Sequence, residues 1–251
     1  MARPAGKPSF NTPHGRGSYA PPSDVYSYPL PDLLQRIGRA ALEERQLDFL
    51  IDASPRCEAT VFCAGDLTIL SRPAISIVGT REASEAGLRR AAQLARDLAK
   101  ADVTVVSGLA KGIDSAALTS AIENDGKVVA VVGTPLDQAY PAENAGLQQI
   151  IYQQYLLMTP FAVGERVFRS NFPTRNRVMA AVSDGTAIVE ASDTSGTLHQ
   201  AAECIRLGRW LFIAKSVVDD TSLTWPTRFL HQPKVRVLSS TSDIFDVVGK
   251  P

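Results

Sequence analysis

Residues 74–114 read AISIVGTREASEAGLRRAAQLARDLAKADVTVVSGLAKGID, and the way this run divides decides the fold. Ala74-Ile-Ser-Ile-Val78 is short, apolar and β-branched, the composition of a buried strand. It leads through Gly79-Thr80-Arg81 into Ser84–Ala101, where apolar residues recur at helical spacing and Ser84 is placed to cap the first turn. A second strand, Val103–Val106, passes through Ser107-Gly-Leu-Ala-Lys-Gly112 into another helical stretch from Asp114. Strand, helix and strand in so few residues form a βαβ unit, with parallel strands and a right-handed crossover.

The same alternation continues along the chain. Val128–Val132, Tyr155–Met158, Ala187–Val189 and Leu211–Ile213 read as strands, and Asp114–Asn124, Glu143–Ile151, Thr174–Val182 and Thr197–Leu207 as the helices between them. The pattern predicts an α/β fold: a doubly wound, mostly parallel Rossmann-like sheet with helices on both faces. Ligands of such sheets bind beyond the carboxyl ends of the strands.

Before this core, apolar positions in Pro31–Ala53 follow a helical period, and the stretch from Ala59 to Leu70 reads as a short strand, a Gly65-Asp66 turn and a second apolar run. Three parts are therefore expected: a flexible tail over 1–29, a small helical lead-in with a short strand over 30–72, and the main domain over 73–251. The tail is rich in Pro, Gly and Ser and poor in aliphatic residues. Its Tyr19, Tyr26 and Tyr28 are the residues by which it would otherwise dock on the core.

Hydrophobic residues make up 45% of the 251 and charged residues 21%, as in ordinary globular proteins. With 26 basic and 26 acidic residues the chain has no global positive field, so a polyanion would have to be met by a local patch. Cys57, Cys63 and Cys204 are odd in number and lack CxxC spacing, against a disulfide framework or a structural zinc site. No signal-peptide core and no apolar run of about 20 residues occurs, so no membrane association and a cytoplasmic location are expected.

Four loops at predicted strand ends carry anion-binding chemistry. The first offers Gly79, Thr80 and Arg81 ahead of a helix, without the GxGxxG spacing of a dinucleotide fold, and the second strand ends on Ser107 where a ribose-binding carboxylate would stand. The second, with Ser107, Gly108, Lys111 and Gly112, resembles a phosphate cradle but departs from GxxxxGK[ST], which removes support for nucleoside triphosphate hydrolysis. The third is the most basic segment of the chain: Arg169, Asn171, Phe172, Arg175 and Arg177, with Phe172 as a stacking surface and the last two arginines on different helical faces. Ser195, Gly196 and Thr197 form the fourth, at another helix start. His199 reads as a helix-surface or packing residue, and no HExxH, CxxC or GxSxG pattern indicates metal or serine hydrolysis. No cofactor is expected.

Taken together, Ile77-Val-Gly-Thr-Arg81, Val106-Ser-Gly-Leu-Ala-Lys-Gly-Ile-Asp114, Tyr140-Pro-Ala-Glu-Asn144, Asn171-Phe-Pro-Thr-Arg-Asn-Arg177 and Ser195-Gly-Thr-Leu198 resemble the DNA-processing protein A (DprA/Smf) family over residues 59–248. The resemblance implies a non-enzymatic binder of single-stranded DNA, with Arg81, Phe172, Arg175 and Arg177 at the DNA. It also implies a homodimer, and loading of the RecA recombinase in recombination and in natural transformation after DNA uptake. The chain departs from the family at Lys215-Ser-Val-Val218, where a Pro-Gly turn is usual, and in carrying no winged-helix-like segment after Ile244. More distantly it is similar to the lonely-guy nucleotide phosphoribohydrolases through Arg175–Met179 and Ser195–Gln200, with Gln200 at their glutamate position. An amide cannot act there as a general base. The alternative expectation is a small-nucleotide sensor or a nucleotide N-glycosidase on the same fold, with Glu190 or Glu203 nearby.

Overall fold

A computed structural model describes residues 19–39 and 60–248. Its strands are β1 (Tyr26–Pro29), β2 (Thr60–Gly65), β3 (Ala74–Gly79), β4 (Thr104–Ser107), β5 (Val128–Val131), β6 (Leu156–Thr159), β7 (Gly185–Glu190), β8 (Trp210–Ala214) and β9 (Val235–Leu238). They form one sheet in the order β1-β2-β6-β5-β4-β3-β7-β8-β9. From β6 to β9 every neighbouring pair is parallel, whereas β1 with β2 and β2 with β6 are antiparallel. The chain enters at β3, builds outward through β4, β5 and β6, then returns to the other side of β3 with β7. The switch point of the winding thus lies between β3 and β7, the place where loops part and leave a crevice.

The alternation of side chains along each strand fills two cores. In β5, Val129 and Val131 enter one and Val128 and Ala130 the other, because successive strand residues point to opposite faces. The first face is covered by α1 (Leu30–Arg36), α5 (Asn171–Ala181) and α6 (Thr197–Arg206), with Leu33, Leu34, Met179 and Ala201 in its core. The second is covered by α2 (Glu85–Lys100), α3 (Ile113–Glu123) and α4 (Ala145–Gln154), through Leu94, Leu98, Leu118 and Ile151. Ser84 caps α2 as its sequence context predicts, its Oγ accepting from the Gly87 N–H at 3.0 Å. Three short helices follow β8: α7 (Lys215–Val218), α8 (Trp225–Phe229) and α9 (Ser242–Val248).

The expected doubly wound sheet is present, and two expectations around it are corrected. A tail was expected through residue 29, yet the Tyr19 hydroxyl donates to the Leu136 carbonyl at 2.8 Å and Tyr26–Pro29 is a strand. The tyrosines give this segment the apolar area that its Pro and Ser residues lack. The strand of the lead-in likewise joins the main sheet, between β1 and β6. Residues 1–18, with His14, and residues 40–59, with Cys57 and most of the helical run expected to Ala53, lie outside the described residues. Arg39 ties the lead-in to the core. It is 5% exposed, donates to both Asp184 carboxylate oxygens at 3.0 and 2.8 Å, and also reaches the Leu70 and Arg72 carbonyls.

Candidate functional site

A cavity of about 350 Å³ opens at the switch point. Val78–Glu82 at the end of β3, Ala110 and Asp114 from the second loop and the helix it opens, Phe172, Arg175 and Met179 of α5, and Ser192, Ser195–Thr197 and Gln200 around the start of α6 contribute to its wall. All four loops expected to carry anion chemistry therefore meet in one place, as strand ends on either side of a switch point must.

The wall is organised around two buried side chains of opposite charge, each of which feels the other's field. Arg175, 6% exposed, comes from the second turn of α5, and Asp114, 4% exposed, from the first turn of α3. The carboxylate of Asp114 accepts from the N–H groups of Gly108 and Ala110 at 3.1 and 3.4 Å. Arg175 donates from one terminal nitrogen to the Val131 carbonyl at 3.1 Å, while its Nε is buried with no hydrogen-bond partner. Burial pushes the Asp114 carboxyl above its ordinary range and the Arg175 guanidinium below its own, and in each the charge of the other works in the opposite direction. Gly108 leaves the guanidinium its place, since a Cβ there would collide with it.

Several residues expected to cradle a phosphate have internal work instead. Ser107 is fully buried and its hydroxyl donates to the Ile77 carbonyl at 2.7 Å. The Gly108 N–H is held by Asp114, as above. Gly112 sits at φ 76°, where a Cβ would strike the Thr80 and Arg81 carbonyls, so its task is to let two loops pass closely. At α2 the anion position is filled by the protein itself. Glu190 accepts from the Ser84 N–H at 2.9 Å and the Ser84 hydroxyl at 2.6 Å, and the Thr80 N–H donates to its carbonyl at 2.8 Å. At α6 the N–H groups of Ser195, Thr197, Leu198 and His199 all find partners within their own loop.

The cations divide in the same way. Arg81 is exposed and lies over the Phe172 ring at 5.4 Å, inside the cavity wall. Lys111 stands at the rim and pairs with Glu143 at 2.7 Å. Arg177 points away from the cavity wall to Glu203 of α6, at 3.6 Å, and Arg169 is exposed outside that wall. Asn171 is buried at the start of α5 with its amide nitrogen unpartnered. The cavity wall thus brings Arg81 and Arg175 together and leaves Ser107, Arg169 and Arg177 outside it.

Gln200 lines the cavity and is fully buried, its amide nitrogen donating to Thr186 Oγ1 at 3.2 Å and its amide oxygen unpartnered. His199, expected to pack or face solvent, is exposed and also lines the cavity. The fourth loop is anchored by Asp193, whose carboxylate accepts from the Thr224 and Trp225 N–H groups at 3.0 and 2.7 Å. Residues that single-sequence reasoning passed over are Asp114, Glu190 as a helix cap, Asn176 and Tyr140. Of these, Asp114, Asn176 and Tyr140 carried a signal, as members of the motifs quoted above, and Glu190 as a cap did not. Among the described residues no group of three metal-ligating side chains is assembled, and no helix is long and apolar enough to cross a membrane.

Against known proteins, the family model of DNA recombination-mediator protein A matches residues 43–249. The chain is 35% identical over 185 residues to the DNA processing protein DprA of Streptococcus pneumoniae, covering 73% of this chain and 64% of that one. The X-ray structure of that organism's DprA superposes with a TM-score of 0.68 at 33% identity, covering 75% of this chain and 66% of the other. A structure of DNA processing protein A from Helicobacter pylori, described for its single-stranded DNA binding mode, gives a TM-score of 0.68 at 24% identity, covering 79% and 91%; at that identity the likeness shows the fold alone. The chain spans slightly less than two thirds of the Streptococcus protein's length.

Proposed function

We propose a function from the premise that this chain belongs to the DNA recombination-mediator protein A family: it acts in DNA processing during recombination by holding single-stranded DNA at the switch-point cavity. The observation that carries this reading is the cationic, aromatic wall made by Arg81 over Phe172, with the unpartnered Nε of buried Arg175 beside it. With the N–H groups of Thr80, Gly108, Ala110, Ser195 and Thr197 already engaged, much of the attraction for phosphates rests on side-chain cations. The single-stranded DNA binding of the Helicobacter pylori protein, which shares this fold, supports the same ligand class. Sequence-tolerant binding follows if stacking and charge dominate. A homodimer and a contact with RecA complete the reading that the family resemblance implies.

Fluorescence anisotropy of a labelled oligonucleotide tests it. Single-stranded binding should exceed duplex binding and fall steeply with salt, because phosphate contacts release counterions. Arg81→Ala should weaken binding and reduce the log–log salt slope by about 1. Binding indifferent to salt and to Arg81 would refute the reading.

A single-nucleotide ligand is the second reading, favoured by a cavity volume of about 350 Å³, within the range of small-molecule sites. The hydrolytic form of it is opposed by Gln200, an amide tethered to Thr186, and by Asp114, whose carboxylate is committed to two backbone N–H groups. Incubation with nucleoside monophosphates should release no free base above buffer.

A further inference from the structure

The residue with the free aromatic face beside this cavity is Tyr140, not Phe172. The Phe172 ring has Arg81 over it at 5.4 Å and Tyr140 against it at 5.6 Å between centroids, inclined by 51°. The backbone of Gly133 lies so close to the same ring that a Cβ there would come within 2.8 Å of it. Phe172 is half-buried, and in this arrangement Arg81 and Tyr140 cover part of its ring. Tyr140 is 46% exposed, unusual for a large ring in this fold.

Its surroundings supply what a nucleotide needs next to a stacking surface. A cleft of about 40 Å³ adjoins the main cavity, sharing Arg81, Phe172 and Arg175 with it and adding Tyr140 and Lys111. That volume accepts a phosphate oxygen or a water but no base, and Arg175, whose Nε has no partner, forms part of its wall. The segment bearing Tyr140 is also fixed in place. Asn144 donates to the Leu109 carbonyl at 2.9 Å and Glu143 pairs with Lys111 at 2.7 Å, fastening residues 140–144 to the second loop. A platform held this way loses little freedom when a base settles on it.

We propose that Tyr140 stacks one base of a bound strand just outside the main cavity, with the adjoining phosphate held at the cleft between Arg81, Lys111 and Arg175. The inference rests on the single-stranded DNA reading. It adds a second nucleotide subsite and assigns base stacking to a different ring. Duplex DNA, whose bases stack on each other, cannot use it.

The test compares an oligothymidylate with an abasic strand of equal length and phosphate number, on the full chain. Wild type should bind the oligothymidylate more tightly by about five- to a hundredfold, the range of one base–aromatic contact. Tyr140→Ala should lose most of that preference, its loss on the oligothymidylate far exceeding its loss on the abasic strand, and Tyr140→Phe should retain it. Tyr140→Trp should retain it and show tryptophan quenching by the oligothymidylate that wild type lacks. Equal losses on both strands in Tyr140→Ala, or no loss on either, would overturn the stacking role while leaving DNA binding intact. Failure of wild type to bind either strand would instead overturn the underlying reading.

Discussion

At the scale of single residues, the centre of the site is a buried guanidinium and a buried carboxylate held by different partners. Arg175→Met removes the donor to the Val131 carbonyl and the cation whose field favours the Asp114 carboxylate, and should destabilise the fold by about 1–3 kcal/mol in denaturant unfolding. Gly108→Ala acts on the same group from the other side, because its methyl overlaps the guanidinium; about 1–3 kcal/mol is expected. The two costs should not add, since the second substitution has nothing left to displace once Arg175 is gone. Burial pushes the thiols of Cys63 and Cys204 up to about 12, so both remain protonated at pH 8. Mass spectrometry after iodoacetamide treatment should find them unlabelled in native protein and labelled in denaturant. The sequence made Arg81, Arg175 and Phe172 conspicuous through their types and spacing. It could not reveal that Ser107 turns inward or that Arg177 serves the interface between α5 and α6, because those outcomes depend on which side of a strand end or helix meets a neighbour.

Among elements, the parallel core was legible because each strand is a short β-branched run followed by a helical period. Long-range support was not. Arg39 lies 145 residues from Asp184 and joins the segment after α1 to the turn before β7; nothing in either local sequence announces the pairing. Arg39→Met should cost about 2–3 kcal/mol, through a carboxylate left half-covered and two carbonyls deprived of a donor. The helix starts were legible as places where N–H groups gather, yet their occupants were not: Glu190, itself at the end of β7, reaches across to α2. β9 escaped notice because Val235-Arg-Val-Leu238 is half-buried and carries a charge, the marks of an edge.

For the whole molecule, the tyrosine-bearing segment closes one margin of the sheet. β1 pairs along the full run of Tyr26–Pro29 with Thr60–Cys63, leaving β2 shielded. Removing residues 1–29 should bare that margin and produce concentration-dependent association by light scattering, whereas the intact chain should show no association through that margin. The same molecular scale gives meaning to the helix starts that are filled from within. With the N–H groups of Thr80, Gly108, Ala110, Ser195 and Thr197 already engaged, a solitary phosphate meets a few side-chain cations here. A strand bearing many phosphates can engage them in succession, each contact raising the local concentration for the next. The site is thereby a counter of length: short oligonucleotides and free nucleotides should be poor competitors for long ones, and affinity should climb with the number of linked units until the cationic surface is spanned.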